Sequence, residues 1–250
     1  YDFFFSGPVK VGGTLIRVDI DPRQLSRNIK ADIAIHSDAR LAAQAIIEAL
    51  PSTAVSPEAG NARAASLRSD IKGQRNRKYE AFFDTISSTL PDVIIVGDST
   101  QPTYYAWLQY ETQSARRYFH SASGFGTLGY AIPAAIGAKL GQPDFPVIGL
   151  IGDGAAQFTI GELASAVEAG VNVIFLLWNN SGYAEIKRFM VEGDIPQIGV
   201  DIYTPDFQGI AAAFGCEVAK ADNLSDLSRE LKAAQARLGP TLIEVRQEDF

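Results

Sequence analysis

Short apolar runs alternate with longer amphipathic segments over residues 76–250. Four runs with almost no polar positions predict strands buried on both faces, at residues 93–96, 147–151, 173–178 and 241–245. Five segments with helical spacing of apolar residues predict helices, near residues 76–90, 130–140, 161–169, 206–214 and 224–238. Apolar strands that alternate with helices form a parallel sheet with helices on both faces, so the predicted fold class is α/β.

The first 75 residues have a different pattern. Residues 14–20 alternate apolar and polar positions and predict a strand that ends at Asp21-Pro22, and Asp38 predicts the N-cap of a helix that continues to residue 50. Residues 51–75 are rich in Pro, Ser, Ala and Gly and then in charge, which predicts a surface linker. We therefore expect the end of one α/β domain at residues 1–50, a linker at 51–75 and a second domain at 76–250.

Two of the buried strands are followed by short, oxygen-rich side chains. Gly152-Asp153-Gly154 follows one strand, and Asn179-Asn180 follows the next. Because ligands of open parallel sheets bind beyond the carboxyl ends of the strands, we expect these side chains to converge. Carboxylate and amide oxygens suit Mg²⁺ that also binds phosphate, and backbone amides after Asp153 could hold a diphosphate. The sequence therefore predicts a metal–diphosphate site shared by two strands.

Composition narrows the possible functions. The chain has 22 basic and 29 acidic residues and a net charge of −7, which argues against a nucleic-acid surface. No apolar run approaches the roughly 20 residues of a membrane span. Cys216 is the only cysteine, so an internal disulfide is impossible, and we expect a reducing, cytoplasmic location. The two histidines exclude a histidine-rich metal site.

These motifs resemble the cofactor signature of thiamine-diphosphate enzymes. The signature is Gly-Asp-Gly, then one helix and one strand, then Asn-Asn. Residues 124–137, GFGTLGYAIPAAIG, resemble the segment that holds the aminopyrimidine end of the cofactor in the acetolactate synthase and 2-oxo acid decarboxylase group. Residues 14–50 resemble the end of that group's central domain. The resemblance implies a C-terminal thiamine-diphosphate-binding fold, with thiamine diphosphate and Mg²⁺ as cofactors.

The resemblance also implies roles for the matching residues. Asp153 and Asn180 bind Mg²⁺ by their side chains, and Gly182 binds it by its carbonyl oxygen. Leu128 supports the bent form of the cofactor, and the carbonyl of Gly126 accepts a hydrogen bond from the 4′-amino group. Further cofactor contacts, chiefly with the diphosphate, are implied for Ser99, Thr100, Gly152, Gly154, Ala155 and Tyr183.

Some of these roles have simpler alternatives. Ser99 and Thr100 could only cap a helix, and Leu128 could be plain core packing. The sequence departs from the family at Ala155, where Ser is frequent, and at Ala184, where Gly usually follows the tyrosine. The change at Ala184 is mild and leaves the metal assignment intact.

The activating glutamate of the family lies in an N-terminal domain upstream of this sequence, and neither Glu162 nor Glu168 can replace it. Since the chain begins with Tyr1, we expect the pyrimidine-binding domain to come from an upstream segment or from a separate chain. The resemblance further implies a homodimer or homotetramer.

Glu185 lies just beyond the metal ligands, on a short helix that borders the substrate pocket in the resembling enzymes. A carboxylate there suits a substrate with a cationic tail, since a guanidinium pairs bidentately with a carboxylate. The alternative is a solvated acid paired with Lys187 or Arg188. The specific expectation is decarboxylation of 5-guanidino-2-oxopentanoate, because NNSGYAEIKRFM resembles that decarboxylase. The other functions left open are an acetolactate-synthase-like carboligase and a non-catalytic cofactor-binding subunit.

Several other conspicuous side chains are expected to be structural. His120 is expected to have no catalytic role, and Cys216 is expected to be a small buried hydrophobe. Trp178 and the pair Tyr104-Tyr105 are expected to pack against the sheet.

Overall fold

The computed structural model describes residues 11–51, 57–73 and 76–250, which divide into two compact units after Leu67. The elements that begin in the first unit are β1 (Ile16–Asp19), β2 (Ile33–His36), α1 (Ala39–Ala49) and α2 (Pro57–Gly73). The two strands pair in parallel. Asp38 caps α1 by accepting hydrogen bonds from two backbone N–H groups of its first turn, which confirms the predicted cap.

Helix α2 occupies most of the segment that was predicted to be a linker. Its side chains are mostly exposed where they are described, which agrees with a surface position. The Pro and Gly content of the segment is the reason that a linker was predicted instead of a helix, although proline is well tolerated in a first helical turn. Residues 52–56 and 74–75 lie outside the described residues, and the division into domains stays a prediction.

The second unit contains a parallel sheet. Its strands are β3 (Ile94–Gly97), β4 (Tyr118–His120), β5 (Val147–Gly152), β6 (Ile174–Asn179), β7 (Glu217–Ala221) and β8 (Thr241–Arg246). Its helices are α3 (Arg77–Thr89), α4 (Gln101–Gln109), α5 (Ala131–Gly141), α6 (Asp153–Thr159), α7 (Leu163–Glu168), α8 (Ala184–Glu192), α9 (Phe207–Ala213) and α10 (Leu224–Gln235). The strand order is β4-β3-β5-β6-β8-β7. The four predicted strands and five predicted helices are therefore confirmed.

Two hydrophobic clusters cover the two faces of this sheet. One contains Phe82 from α3 and Leu227 from α10, and the other contains Ile132 from α5 and Phe207 from α9. Adjacent residues of one strand point to opposite clusters, as the period of two requires. Full burial of a side chain such as Phe82 contributes about 1.5–3 kcal/mol to stability. Helices on both faces explain why the central strands have almost no polar positions.

The order of the strands creates a switch point beside β3. The chain passes from β3 to β4 on one side and then returns to β5 on the other side. Ligands of open α/β sheets bind at such a point, beyond the carboxyl ends of the strands. Among the described residues, no helix has the length and apolar composition needed to cross a membrane.

Candidate active site

A cavity of about 300 Å³ lies at the carboxyl ends of β3, β5 and β6. It is lined by residues that follow these strands and by the segment before α5. All the predicted site residues are among them, namely Ser99, Thr100, Gly126, Leu128, Gly152, Asp153, Gly154, Ala155, Asn180, Gly182, Tyr183 and Glu185. The structure therefore brings together residues that are up to 86 positions apart in the sequence, from Ser99 to Glu185.

Three oxygen atoms converge at one side of this cavity. The side-chain oxygen of Asn180 lies 2.8 Å from the carbonyl oxygen of Gly182 and 3.1 Å from Oδ1 of Asp153. Adjacent ligands of an octahedral Mg²⁺, each about 2.0–2.1 Å from the ion, are about 2.9 Å apart. Oxygens at this spacing repel each other without a cation between them, so the donor set fits Mg²⁺.

Asp153 is held in place by its surroundings. Its side chain is buried, and Oδ2 accepts a hydrogen bond of 2.9 Å from the backbone N–H of Gly182. Burial raises the pKa of Asp153, and backbone hydrogen bonds from Asn180, Gly182 and Gly154 partly oppose that rise. Desolvation penalises the charged carboxylate, and a bound cation would offset that penalty.

The start of α6 has no room for a side chain at residue 154. A Cβ at Gly154 would lie 2.6 Å from the ring carbon Cε1 of Tyr183, closer than real contacts allow. The tyrosine ring thus lies directly over the Gly154 backbone. Gly154 and Ala155, whose amides are candidates for diphosphate binding, belong to the first turn of this helix.

Asp98 organises the other side of the cavity, and the sequence analysis overlooked it. It is fully buried, and its carboxylate accepts hydrogen bonds from the backbone N–H groups of Ser99 (2.9 Å), Gly129 (3.2 Å) and Ala131 (2.8 Å). These bonds fix the segment that contains Gly126 and the start of α5. Asp98 follows a buried strand as Asp153 does, and that shared position was the available signal.

Ser99 and Thr100 do not act as simple helix caps. The Ser99 hydroxyl donates to the carbonyl oxygen of Gly126 at 3.1 Å and lies 2.8 Å from the Ser121 hydroxyl. Thr100 occupies the N-cap position of α4, but its side chain makes no capping hydrogen bond. Gly126 itself has φ +69°, a left-handed conformation that favours glycine. The predicted contacts of Ser99 and Thr100 with a diphosphate stay predictions.

Glu185 lies in the first turn of α8 and lines the cavity, with its side chain 25% exposed. One carboxylate oxygen accepts a hydrogen bond of 3.1 Å from the side-chain amide of Gln101, and the other pairs with the guanidinium of Arg188. Lys187 pairs instead with Asp201 at 2.7 Å. Both features considered for Glu185, a place at the pocket and a pair with Arg188, are thus present together.

The residues expected to be structural are buried, with one exception. Cys216 and Tyr105 are buried in the two clusters, and His120 is buried and lies outside the cavity lining. Trp178 is fully buried against the sheet. The expectation for Tyr104 was wrong, because α4 turns this side chain toward the cavity while Tyr105 faces the core.

The fold and the site together define a thiamine-diphosphate-binding domain, and the chain belongs to the family of thiamine pyrophosphate enzymes. The family's C-terminal TPP-binding domain matches residues 98–245. Enzymes of this family use thiamine diphosphate with Mg²⁺.

Several known proteins are similar to this chain. A protein of Pseudomonas aeruginosa named probable 2-ketoarginine decarboxylase is 37% identical over 97% of the chain, which covers 44% of that protein. Benzoylformate decarboxylase of the same organism is 35% identical over 94% of the chain and 44% of its own length. The solved structure of a thiamine diphosphate-dependent 4-hydroxybenzoylformate decarboxylase from Rhodococcus jostii has a TM-score of 0.73 and 27% identity, over 96% of this chain and 45% of its own. The chain thus spans less than half the length of these relatives.

Proposed function

We propose that the complete protein containing this chain decarboxylates a 2-oxo acid with thiamine diphosphate and Mg²⁺. The observation that carries the proposal is the convergence of the Asp153, Asn180 and Gly182 oxygens, in the same cavity as the Gly154 and Ala155 backbone. When bound, thiamine diphosphate supplies the carbon nucleophile and electron sink that loss of CO₂ from a 2-oxo acid requires.

The chain's own residues would bind and orient the cofactor. Asp153 and Asn180 would hold Mg²⁺ with the carbonyl of Gly182, and Ser99 and Thr100 would contact the diphosphate with the amides after Asp153. Further cofactor contacts are proposed for Gly152 and Tyr183, which line the same cavity.

The segment before α5 would position the other end of the cofactor. Leu128 would support the bent conformation, and the carbonyl of Gly126 would accept from the 4′-amino group. The hydrogen bond from Ser99 leaves this carbonyl one further lone pair for that purpose. A homodimer or homotetramer with a pyrimidine-binding domain, located in the cytoplasm, is also part of the proposal.

The proposed substrate is a 2-oxo acid with a cationic end, such as 5-guanidino-2-oxopentanoate. The name of the Pseudomonas relative supports this choice, and so does the position of Glu185 at the cavity. Arg188 already places a guanidinium on one oxygen of Glu185, so the carboxylate can accept a group of that kind. Arg188 also pairs with Glu192 at 2.7 Å, which gives it another partner when a substrate cation binds Glu185.

The second candidate is carboligation of 2-oxo acids. The observation that favours it is the similarity to the acetolactate synthase large subunit of Lactococcus lactis, which is 31% identical over 98% of the chain and 44% of its own length.

Product analysis distinguishes these functions. The complete protein, supplied with Mg²⁺ and thiamine diphosphate, would be incubated with 5-guanidino-2-oxopentanoate, benzoylformate and pyruvate in separate reactions. We expect CO₂ and the guanidino aldehyde in equal amounts from the first substrate, and less product from the two substrates without a cation. A hydroxy-keto acid from pyruvate would identify a carboligase. Cofactor binding without any product would identify a non-catalytic subunit.

A further inference from the structure

Asn180 is connected to Trp178 through the side chain of Gln247. The indole Nε1–H of Trp178 donates to Oε1 of Gln247 at 3.0 Å, and the amide nitrogen of Asn180 lies 3.3 Å from the same oxygen. Gln247 follows β8 and is 67 positions from Asn180 in sequence. It is not one of the site residues that the family resemblance implies, and it does not line the cavity of about 300 Å³.

Hydrogen-bond chemistry fixes the orientation of each of these side chains, one after the other. An indole nitrogen can only donate a hydrogen bond, so the atom of Gln247 that faces Trp178 must be its carbonyl oxygen. That oxygen can only accept, and therefore the amide nitrogen of Asn180 must face it. The remaining atom, the side-chain oxygen of Asn180, is then directed toward the oxygens of Asp153 and Gly182.

The opposite orientation of the Asn180 amide would close the metal site. Its nitrogen would donate to the carbonyl of Gly182 at 2.8 Å and to Oδ1 of Asp153 at 3.1 Å. In the absence of a cation these two bonds favour the closed orientation. The same rotation, however, would place the Asn180 oxygen 3.3 Å from Oε1 of Gln247, where two acceptors repel. Gln247 therefore opposes the closed orientation.

We propose that Gln247, oriented by Trp178, is a positioning residue that keeps the side-chain oxygen of Asn180 directed toward the cation. The inference rests on the proposed metal site. Trp178 is fully buried on β6, and the backbone carbonyl of Gln247 accepts a hydrogen bond from the Lys78 ammonium, so both ends of this connection are anchored. Partners of this kind orient the ligands of metal sites, and their loss typically costs 10–100-fold in metal affinity.

The test is the affinity of the complete protein for Mn²⁺, as a stand-in for Mg²⁺, at saturating thiamine diphosphate. Free Mn²⁺ would be measured by electron paramagnetic resonance. Gln247→Met keeps the size of the side chain but removes the acceptor, and we expect its Kd to rise by about 10–100-fold. Gln247→Glu keeps acceptors for both neighbours and should bind Mn²⁺ nearly as tightly as the wild type.

Gln208→Met is the matched control. It removes another side-chain amide near β8, one that donates to Glu244 at 2.8 Å rather than to Asn180. Its affinity for Mn²⁺ should equal that of the wild type. Trp178→Phe tests the same connection from its other end. Without the indole donor, Gln247 can turn its own amide nitrogen toward Asn180. We expect weakened Mn²⁺ binding in this variant too, and it decides the matter if Gln247→Met does not fold.

Thermal melting in EDTA measures the structural contribution of Gln247 separately. Without metal, Gln247→Met frees Asn180 to bond with Asp153 and Gly182 but leaves the buried Trp178 N–H without its acceptor, so we expect a modest fall in Tm beside the loss of Mn²⁺ affinity. Wild-type Mn²⁺ affinity in both Gln247→Met and Trp178→Phe would overturn the proposal, as would equal weakening in Gln208→Met. Asp153→Ala tests the underlying metal site separately, since unaltered Mn²⁺ affinity there would refute the site itself.

Discussion

At the scale of single residues, two aspartates in similar positions have different surroundings. Asp98 and Asp153 each follow a buried strand, and burial raises the pKa of both carboxyl groups. Asp98 is surrounded by backbone N–H donors, which makes it a structural group. Asp153 has N–H donors and also the side-chain oxygen of Asn180, 3.1 Å from its Oδ1, as a neighbour, and a cation would make that arrangement favourable.

Replacement of Asp153 by alanine should therefore remove cofactor binding without unfolding the protein. We expect titration calorimetry of Asp153→Ala to show no binding of thiamine diphosphate, even in excess Mg²⁺. Its circular dichroism spectrum in EDTA should match that of the wild type, which would show that the fold is intact. Unaltered affinity for thiamine diphosphate in this variant would rule out the metal assignment.

Replacement of Asp98 by asparagine, in contrast, should destabilise the fold. The amide offers one oxygen for three N–H donors, and one donor of the Ser99–Ala131 network is left unsatisfied, which costs about 1–3 kcal/mol of stability. Urea unfolding of Asp98→Asn measures this loss. The matched control is Asp92→Asn, because Asp92 is half exposed and has φ +58°, which asparagine tolerates. Equal stability of the two variants would contradict the role given to Asp98.

At the scale of secondary-structure elements, the short helix α8 carries the specificity argument. It begins directly after the proposed metal ligands, so Glu185 in its first turn lines the cavity while Arg188, one turn later, is 47% exposed. Arg188 and a cationic substrate would bind the same carboxylate. The balance between them depends on Glu192, the second partner of Arg188.

Glu185→Gln should reduce activity with cationic substrates selectively. A charge-assisted hydrogen bond contributes about 1.5–3 kcal/mol, which corresponds to about ten- to a hundredfold in kcat/KM. We expect a loss of that size for 5-guanidino-2-oxopentanoate and a much smaller one for pyruvate, with cofactor affinity unchanged. Arg188→Met is the matched variant on the same helix and should preserve the preference for the guanidino acid. An equal loss on both substrates would identify Glu185 as a surface acid.

The elements also show which parts of the site the sequence could predict. Buried strands have long apolar runs, and polar residues that end them mark the carboxyl edge of the sheet, so Asp153 and Asn180 could be found. Strand β4 has only three residues and β7 is only partly buried, so the apolar positions of neither strand follow a clear period. The role of Gln247 depends on contacts between distant segments, which no local pattern records. The rotation of α4, which separates Tyr104 from Tyr105, is likewise set by packing.

At the scale of the whole molecule, the cofactor and the fold should stabilise each other. The site is assembled from the ends of three strands and the segment before α5, so unfolding of this unit destroys it. A ligand that binds only the folded state multiplies the ratio of folded to unfolded molecules by one plus its concentration over Kd. Cys216, which lies between α9 and β7 and does not line the cavity, provides a probe of unfolding.

The labelling rate of Cys216 should therefore report cofactor binding. Burial raises the pKa of this thiol to about 11, whereas an exposed cysteine has a pKa of about 8.5, so at pH 8 the reactive thiolate forms mainly in opened molecules. Alkylation then proceeds mainly through opened molecules. Thiamine diphosphate and Mg²⁺ together, at 100 times Kd, should slow it about 100-fold, equivalent to about 2.7 kcal/mol. Mass spectrometry of the Cys216 peptide from the complete protein measures the rate. Either component alone, or both with Asp153→Ala, should leave the rate unchanged, and equal protection of Asp153→Ala would show that the stabilising ligand binds elsewhere.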